Sequence, residues 1–485
     1  MMYRIAFGWF LCIIFSWPSS AAQDSLATSS ALPELGDSSI ASLSPQLERR
    51  VGGEAMRSIR KDPAFVDDPQ ALDYINALGM ALVTASNSID LRYEFFLIAD
   101  PMINAFAMPG GFVGIHTGLL LAAQTESELA AVLAHEISHV TQRHISRGLG
   151  KQSQLSVVSI AGALLGLLAA RTNVQAGQAI AVASQAGSVQ AQLGYTREFE
   201  READRVGLDV LQRAGFDVTG MVGFFERLQK ASRLSENSAP SYLQTHPLTG
   251  ERISDMQNRT QGIAYKQRVD RIGFLLVKAK IRAEQGGIPD AVSYFEQQVR
   301  EGRFVSEGAA RYGLAIAQLR ARNYIDAQRQ LGLAMENVGE NAMLRMLDAQ
   351  LKVSQGDHVA ALDIYRKAIS LHPGYLPLRY AEIQSMQKLG IHDAALNELD
   401  GLLRSNAREG RLYALKASSY AALGRNLLQH QAQAEVYFQQ GAIQAAIEQL
   451  QLALKGGDGT FYQLSSVEAR LREFRKQRAD EIRER

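Results

Sequence analysis

Residues 125–140 read TESELAAVLAHEISHV. Thr125 to Glu128 has the Ser/Thr-x-x-Glu form of a reciprocal cap that opens a helix. Beyond it, Leu129, Val132, Leu133, Glu136, His139 and Val140 carry a helical spacing, which predicts a helix to about Arg147. On that helix His135 and His139 are four apart, so they share a face one turn apart. Two neutral imidazoles so placed can hold one zinc ion, each at about 2.0–2.1 Å. Glu136 follows the first histidine on the adjacent face, where it can take a proton from water held at the metal. Such a site makes its own nucleophile at neutral pH and needs no reactive Ser or Cys.

Two histidines leave zinc short of a ligand. Thr196 to Asp204 (TREFEREAD) is acid-rich and helical. It offers two pairs at four-residue spacing, Glu198/Glu202 and Glu200/Asp204. One member of a pair can ligate while the other accepts a hydrogen bond from a ligand imidazole. Spacing alone does not choose between them; the pair not used would sit in solvent.

Upstream, Pro45 begins a charged helix, and Asp68-Pro69 begins another that runs to about Thr84. Tyr93 to Ile98 reads as an aromatic strand. Residues 104–120 (NAFAMPGGFVGIHTGLL) read as strand, Pro-Gly-Gly turn, strand and helix start. The second of these strands, with Val113, Gly114 and Ile115, is the expected exposed edge to which an extended peptide adds. Gly110, Gly111 and Gly114 would allow close backbone approach there. His116 is not expected to ligate. His144, five after His139, falls off the metal face and reads as structural. His246, in a Thr-His-Pro-Leu context, reads as a turn or helix-start residue. Arg252 is a candidate partner for a carboxylate near the site.

Together, Asn104–Gly111, His135/Glu136/His139, Glu200/Asp204 and His246-Pro247 with Arg252 resemble the HtpX and CAAX-prenyl-protease group of gluzincin zinc peptidases. The resemblance covers about residues 45–262. It implies that Glu200 is the third zinc ligand and Asp204 its supporting carboxylate. It implies for His246 a place as fourth ligand, a self-inhibiting switch, or a substrate contact when displaced. Relatives with membrane-embedded catalytic domains carry several spanning helices. This sequence shows none after its N-terminal segment, which sets it apart from prenyl-protein processing.

The chain has 485 residues, 51 Lys+Arg against 50 Asp+Glu, and one Cys. The near-zero balance argues against nucleic acid as a partner. A single Cys excludes a disulfide framework and a Cys-ligated metal cluster. Arg4, the apolar run Ile5–Trp17, Pro18 and Ser20-Ala21-Ala22 read as an export signal cut near Ala22. Its removal takes Arg4 and Cys12, leaving a charge-balanced chain without a thiol, suited to an oxidising periplasm. Leu155–Ala170 is apolar, uncharged and too short to span a bilayer. It reads as a buried helix, the alternative being peripheral contact with a membrane.

From about Arg271 the texture repeats at roughly 34 residues. The anchors are Ala291/Phe295, Ala327/Leu331, Ala361/Tyr365 and Ala395/Leu399, with Gly286, Gly356 and Gly390 in the turns. This resembles the tetratricopeptide repeat. The register then breaks, and Ala446/Leu450 forms a further anchor pair. Val467 to Arg485 is a charged helix suited to a polar cap.

The expected fold is mainly α. A gluzincin-like α+β zinc peptidase domain with a small sheet is followed by an α-solenoid of tetratricopeptide repeats. The expected division is signal peptide 1–22, flexible linker 23–44, peptidase 45–265 and repeats 266–485. The expected function is an exported endopeptidase with one zinc ion per chain, acting on unfolded or misassembled polypeptides. By resemblance, its substrates are outer-membrane β-barrel proteins and its partner is their assembly machinery. The alternative is a chaperone or scaffold whose zinc site stays latent. Glu136 separates the two, because a scaffold has no need of a base beside the metal.

Overall fold

The computed structural model describes residues 44–86, 88, 91–149, 197–234, 241–263 and 268–483. The expected signal at 1–22, the linker up to residue 43, and the stretches Leu155–Ala170 and Val174–Gly194 lie outside the described residues.

Side-chain caps set where the first helices begin. Ser44 accepts a hydrogen bond from the Leu47 N–H and opens α1 (Pro45–Ile59). Asp68 accepts from the Ala71 N–H and opens α2 (Pro69–Ala85). In both, proline occupies the first turn, where its missing N–H costs no helical bond. A three-stranded sheet follows, made of β1 (Glu94–Ile98), β2 (Ala105–Met108) and β3 (Phe112–His116).

The strand order is β1-β3-β2, with β1 parallel and β2 antiparallel to β3. This corrects the expected role of Val113, Gly114 and Ile115. They lie on the central strand, buried along its whole length, so their backbone groups are already paired on both sides. The space beside Gly114 is taken by the chain's own rings: a Cβ there would come within 2.4 Å of Phe106. β2 is an edge strand and packs beside the histidine-bearing helix.

That helix, α4 (Glu126–Thr141), follows a short α3 (Thr117–Ala122). Thr125 caps it by accepting from the Glu128 N–H at 3.2 Å. Every residue from Glu126 to His139 is buried. A helix without a solvent face belongs at the centre of a domain. α4 is enclosed by α2, β2, α6 (Arg197–Arg213) and α7 (Thr219–Leu234). The α4–α6 contact is close because Gly207 faces α4. A Cβ at Gly207 would lie 3.1 Å from the His135 backbone nitrogen.

α4 ends at Thr141, short of Arg147. Arg143 adopts a left-handed backbone (φ 53°), which breaks the helical path. Its guanidinium is held 3.1 Å from the buried carboxylate of Glu48. A new short helix, α5 (His144–Leu149), starts in a different direction. Beyond α6 and α7 come α8 (Ser241–Thr245) and α9 (Gly250–Thr260).

The rest of the chain is a stack of helices. The repeats with the predicted anchors are α10/α11 (Ile272–Glu284, Ile288–Glu301), α12/α13 (Glu307–Arg320, Tyr324–Val338), α14/α15 (Ala342–Ser354, His358–Leu371) and α16/α17 (Leu376–Lys388, His392–Ser405). All eight anchor residues are buried. α18 (Gly410–Ala422) is the extra helix at which the register breaks. The next anchors, Ala446 and Leu450, are buried on α20 (Ile443–Lys455), which pairs with α19 (Asn426–Gln439). α21 (Phe461–Arg483) closes the stack.

One hydrophobic core runs from Ala71 of α2 through Leu129–Ile137 of α4 to Phe274, Tyr312 and Leu351 of the repeats. Far along the stack, Arg411 pairs with Asp67, and the Gly441 carbonyl accepts from Arg57 of α1. The repeats therefore curl back to touch the first helices. Among the described residues, no helix is long and apolar enough to cross a membrane.

Candidate metal centre

The packing of α6 along α4 brings two helix faces together. His135 and His139 project from α4, and Glu200 and Asp204 from α6. His246 follows α8, where its N–H donates to the Tyr242 carbonyl at 2.8 Å and its ring stacks on that of Tyr242. His135, His139, Glu200 and His246 each bring one potential ligand atom into a cluster whose atoms all lie within 4.8 Å of one another. All four residues are buried.

The cluster can be tested against a tetrahedral ion. Bonds of about 2.0–2.1 Å set neighbouring ligand atoms about 3.4 Å apart. His139 Nε2 lies 3.0 Å from His135 Nε2. Glu200 oxygens lie 3.5 Å from each of these nitrogens. His246 Nδ1 lies 3.4 Å from His135 Nε2 and 3.0 Å from Glu200 Oε1. The spacings and the donor set, three imidazoles and a carboxylate, fit zinc.

The charge states suit the same purpose. Burial works against ionising Glu200, but the His246 and His135 charges outweigh it and hold the carboxyl well below its usual range. Burial, with the charge of His135, holds His139 well below the ordinary imidazole range, so its ring is neutral.

A second layer holds the first. His135 Nδ1 lies 2.9 Å from Asp204 Oδ1. Arg252, from α9, donates to both Asp204 oxygens at 2.7 and 2.8 Å. Its Nη1 also lies 2.8 Å from Glu200 Oε2 and donates to the Pro247 carbonyl at 2.7 Å. On the far side, His139 Nδ1 meets His144 Nδ1 at 2.8 Å, and His144 Nε2 lies 3.2 Å from Glu202 Oε2. This changes the reading of two residues. His144 is not remote from the metal face, and Glu202 is bound to His144 and Arg147 rather than left in solvent. The five-residue offset misleads because it assumes an unbroken helix; the left-handed Arg143 turns His144 back toward His139. No sequence signal announces that turn at an arginine. Glu198 is exposed, and His116 sits apart from the cluster, 3.4 Å from Asp100.

Glu136 lies beside the four. Its carboxylate is buried, and among the described residues neither oxygen has a hydrogen-bond partner. Buried carboxylate oxygens are rarely left so unless water or a ligand serves them. His246 Nε2 is 3.4 Å away. Burial raises the Glu136 carboxyl above its ordinary range, against the charges of His246 and His135 and a backbone contact from Ala107 of β2. A raised carboxyl is a stronger proton acceptor.

Comparison with known proteins gives two family matches, Peptidase family M48 over residues 69–260 and the tetratricopeptide repeat over residues 352–418. The β-barrel assembly-enhancing protease of Escherichia coli (strain K12) is 33% identical, over 87% of this chain and 86% of its own length. The protein of that name from Yersinia pestis is 33% identical, over 72% of this chain and 73% of its own. The metalloprotease LoiP of Escherichia coli (strain K12) is 28% identical over 46% of this chain and 82% of its own length.

Proposed function

The chain belongs to Peptidase family M48 and is a metallopeptidase with tetratricopeptide repeats; from that premise we propose that it is an exported, zinc-dependent endopeptidase of the periplasm. Its substrates are misfolded or stalled envelope and outer-membrane proteins, and its partner is the β-barrel assembly machinery. The name carried by relatives that align over most of this chain supports that substrate class and that compartment. The observation that carries the chemistry is the cluster of His135, His139, Glu200 and His246 beside the unpartnered Glu136 carboxylate.

In this reading His135, His139 and Glu200 hold one zinc ion, and Asp204 fixes the His135 ring, itself clamped by Arg252. Zinc, when bound, lowers the pKa of water toward about 7 and polarises a peptide carbonyl. Glu136 takes the proton of the attacking water and returns it to the leaving amine. The edge of β2, beside Glu136, receives the substrate as an added strand, in place of the buried β3. The peptidase spans 45–265 and the repeats 266–485, which bind the polypeptide or its assembly machinery. A cavity of about 770 Å³, lined by Asp67, Gln70, Tyr365, Tyr380 and Arg411 among others, is roomy and polar enough for an extended segment.

The test is direct. The purified chain is incubated with an unfolded outer-membrane β-barrel protein, with and without a zinc chelator. Cleavage should stop on chelation and return with one equivalent of Zn²⁺. Cleavage that persists in a demonstrably metal-free preparation would refute the reading.

The position of His246 supports a latent resting state and thereby the scaffold alternative. At 3.0 Å from Glu200 it takes the fourth corner that a catalytic zinc keeps open. Replacing His246 by Ala should raise cleavage of unfolded protein or of the chain itself, with zinc retained. An unchanged rate would remove the switch.

A further inference from the structure

A histidine ligand must turn a lone pair, not an N–H, toward its ion. Behind His135 a carboxylate does this: Asp204 Oδ1 can only accept, so the proton sits on Nδ1 and Nε2 is bare. Behind His139 stands another imidazole, and two imidazoles alone do not fix which one donates.

The direction is set one residue further out. Glu202 Oε2 lies 2.9 Å from Arg147 Nη1 and 3.2 Å from His144 Nε2. A carboxylate held by a guanidinium accepts hydrogen bonds and donates none. A neutral His144 therefore carries its proton on Nε2, and its Nδ1 keeps a lone pair. That lone pair, at 2.8 Å, accepts from His139 Nδ1–H and leaves His139 Nε2 bare. The bare nitrogen is the one that faces His135 Nε2 at 3.0 Å.

The ring of His144 is fixed in space as well. Phe199 of α6 stacks on it, with ring centroids 4.6 Å apart and planes 8° from parallel. Arg147 lies over Phe199, 4.8 Å from its ring centre. The left-handed Arg143 is what delivers His144 to this place.

We propose that His144, oriented by Glu202, is a positioning residue that sets the tautomer and ring angle of His139. The inference rests on the reading of His139 as a metal ligand. Outer residues of this kind govern metal affinity about 10–100-fold.

The test uses the full chain. Zn²⁺ affinity is measured by chelator competition, and the visible absorption of the Co²⁺ form is recorded. His144→Leu fills the space without an acceptor and should weaken Zn²⁺ binding about 10–100-fold and shift the Co²⁺ spectrum. His144→Asn should keep most of the affinity, because Oδ1 stands where Nδ1 stood. Glu202→Ala, at a partly exposed residue that a folded chain tolerates, should give an intermediate loss, since His144 then chooses its tautomer freely. A role in packing alone would lower the stability of the metal-free chain and leave affinity and spectrum untouched.

Wild-type affinity in His144→Leu, or equal losses in the Leu and Asn variants, would overturn the proposal. If the Leu variant does not fold, unchanged affinity in Glu202→Ala does so instead. His139→Ala separates the two levels. Metal retained there would overturn the ligand reading itself. Metal lost there but not in His144→Leu would overturn the positioning role alone.

Discussion

Glu136→Gln is expected to lower cleavage of an unfolded protein by about 10²–10⁴-fold with bound zinc unchanged. Gln keeps the size and both polar atoms of the side chain but cannot take a proton. Glu136 does not belong to the ligand cluster, so the ion keeps its full donor set. Its carboxylate oxygens have no hydrogen-bond partner among the described residues, so no structural bond is broken. The change even removes the cost of burying a charge, and the variant should be at least as stable as the parent. Metal analysis and a peptide-release assay on the same preparation check both halves. A variant that cuts as fast as the parent would remove Glu136 from the chemistry. One that loses zinc would mean that its carboxylate helps hold the ion.

Arg252→Met should destabilise the metal-free chain by about 3–5 kcal/mol, the cost of stranding buried charge. Arg252 is 2% exposed and neutralises two carboxylates, Asp204 and Glu200, that are equally enclosed. Burial opposes the ionisation of Asp204, and the Arg252 hydrogen bonds overcome that opposition, holding the carboxyl below its usual range. Met fills much of the volume but leaves both acids without their cation. The loss should shrink when zinc is bound, because the ion neutralises Glu200 directly. Urea unfolding followed by circular dichroism, with and without zinc, measures it. A variant as stable as the parent in the metal-free state would show that the two acids do not depend on the guanidinium. Adding Asp204→Asn should recover part of the loss, since the two changes share one interaction.

The site was unevenly legible. Local chemistry announced its centre: the cap at Thr125, the four-residue spacing of His135 and His139, and Glu136 between them. The choice of Glu200 over Glu198 or Glu202 came from resemblance, because a helix by itself does not say which face meets α4. Packing makes that choice through Gly207, where the missing Cβ lets α6 approach the His135 backbone. The strand reading of Val113–Ile115 gave a strand but the wrong position in the sheet. Alternating residues mark a strand; which neighbours flank it depends on pairings with Glu94–Ile98 and Ala105–Met108. The repeat anchors were readable because each repeat buries the same small and large residues against its neighbours, a local rule repeated at a fixed period.

By itself, then, the sequence determined what can be decided within a turn or two of backbone. That covers the capped helix with its metal-binding face, the period of the repeats and the break after the fourth anchor pair. The tertiary structure alone decided what depends on elements distant in the chain. It made β2 rather than β3 the edge beside the site, set His246 and Arg252 against α6, and ran one core from the peptidase helices into the repeats. It also turned His144 back toward His139 through a left-handed Arg143 anchored on Glu48, a contact across 95 positions. Spacing fixes direction only while the helix continues; where it breaks, the partner that holds the break sets where the next side chain points.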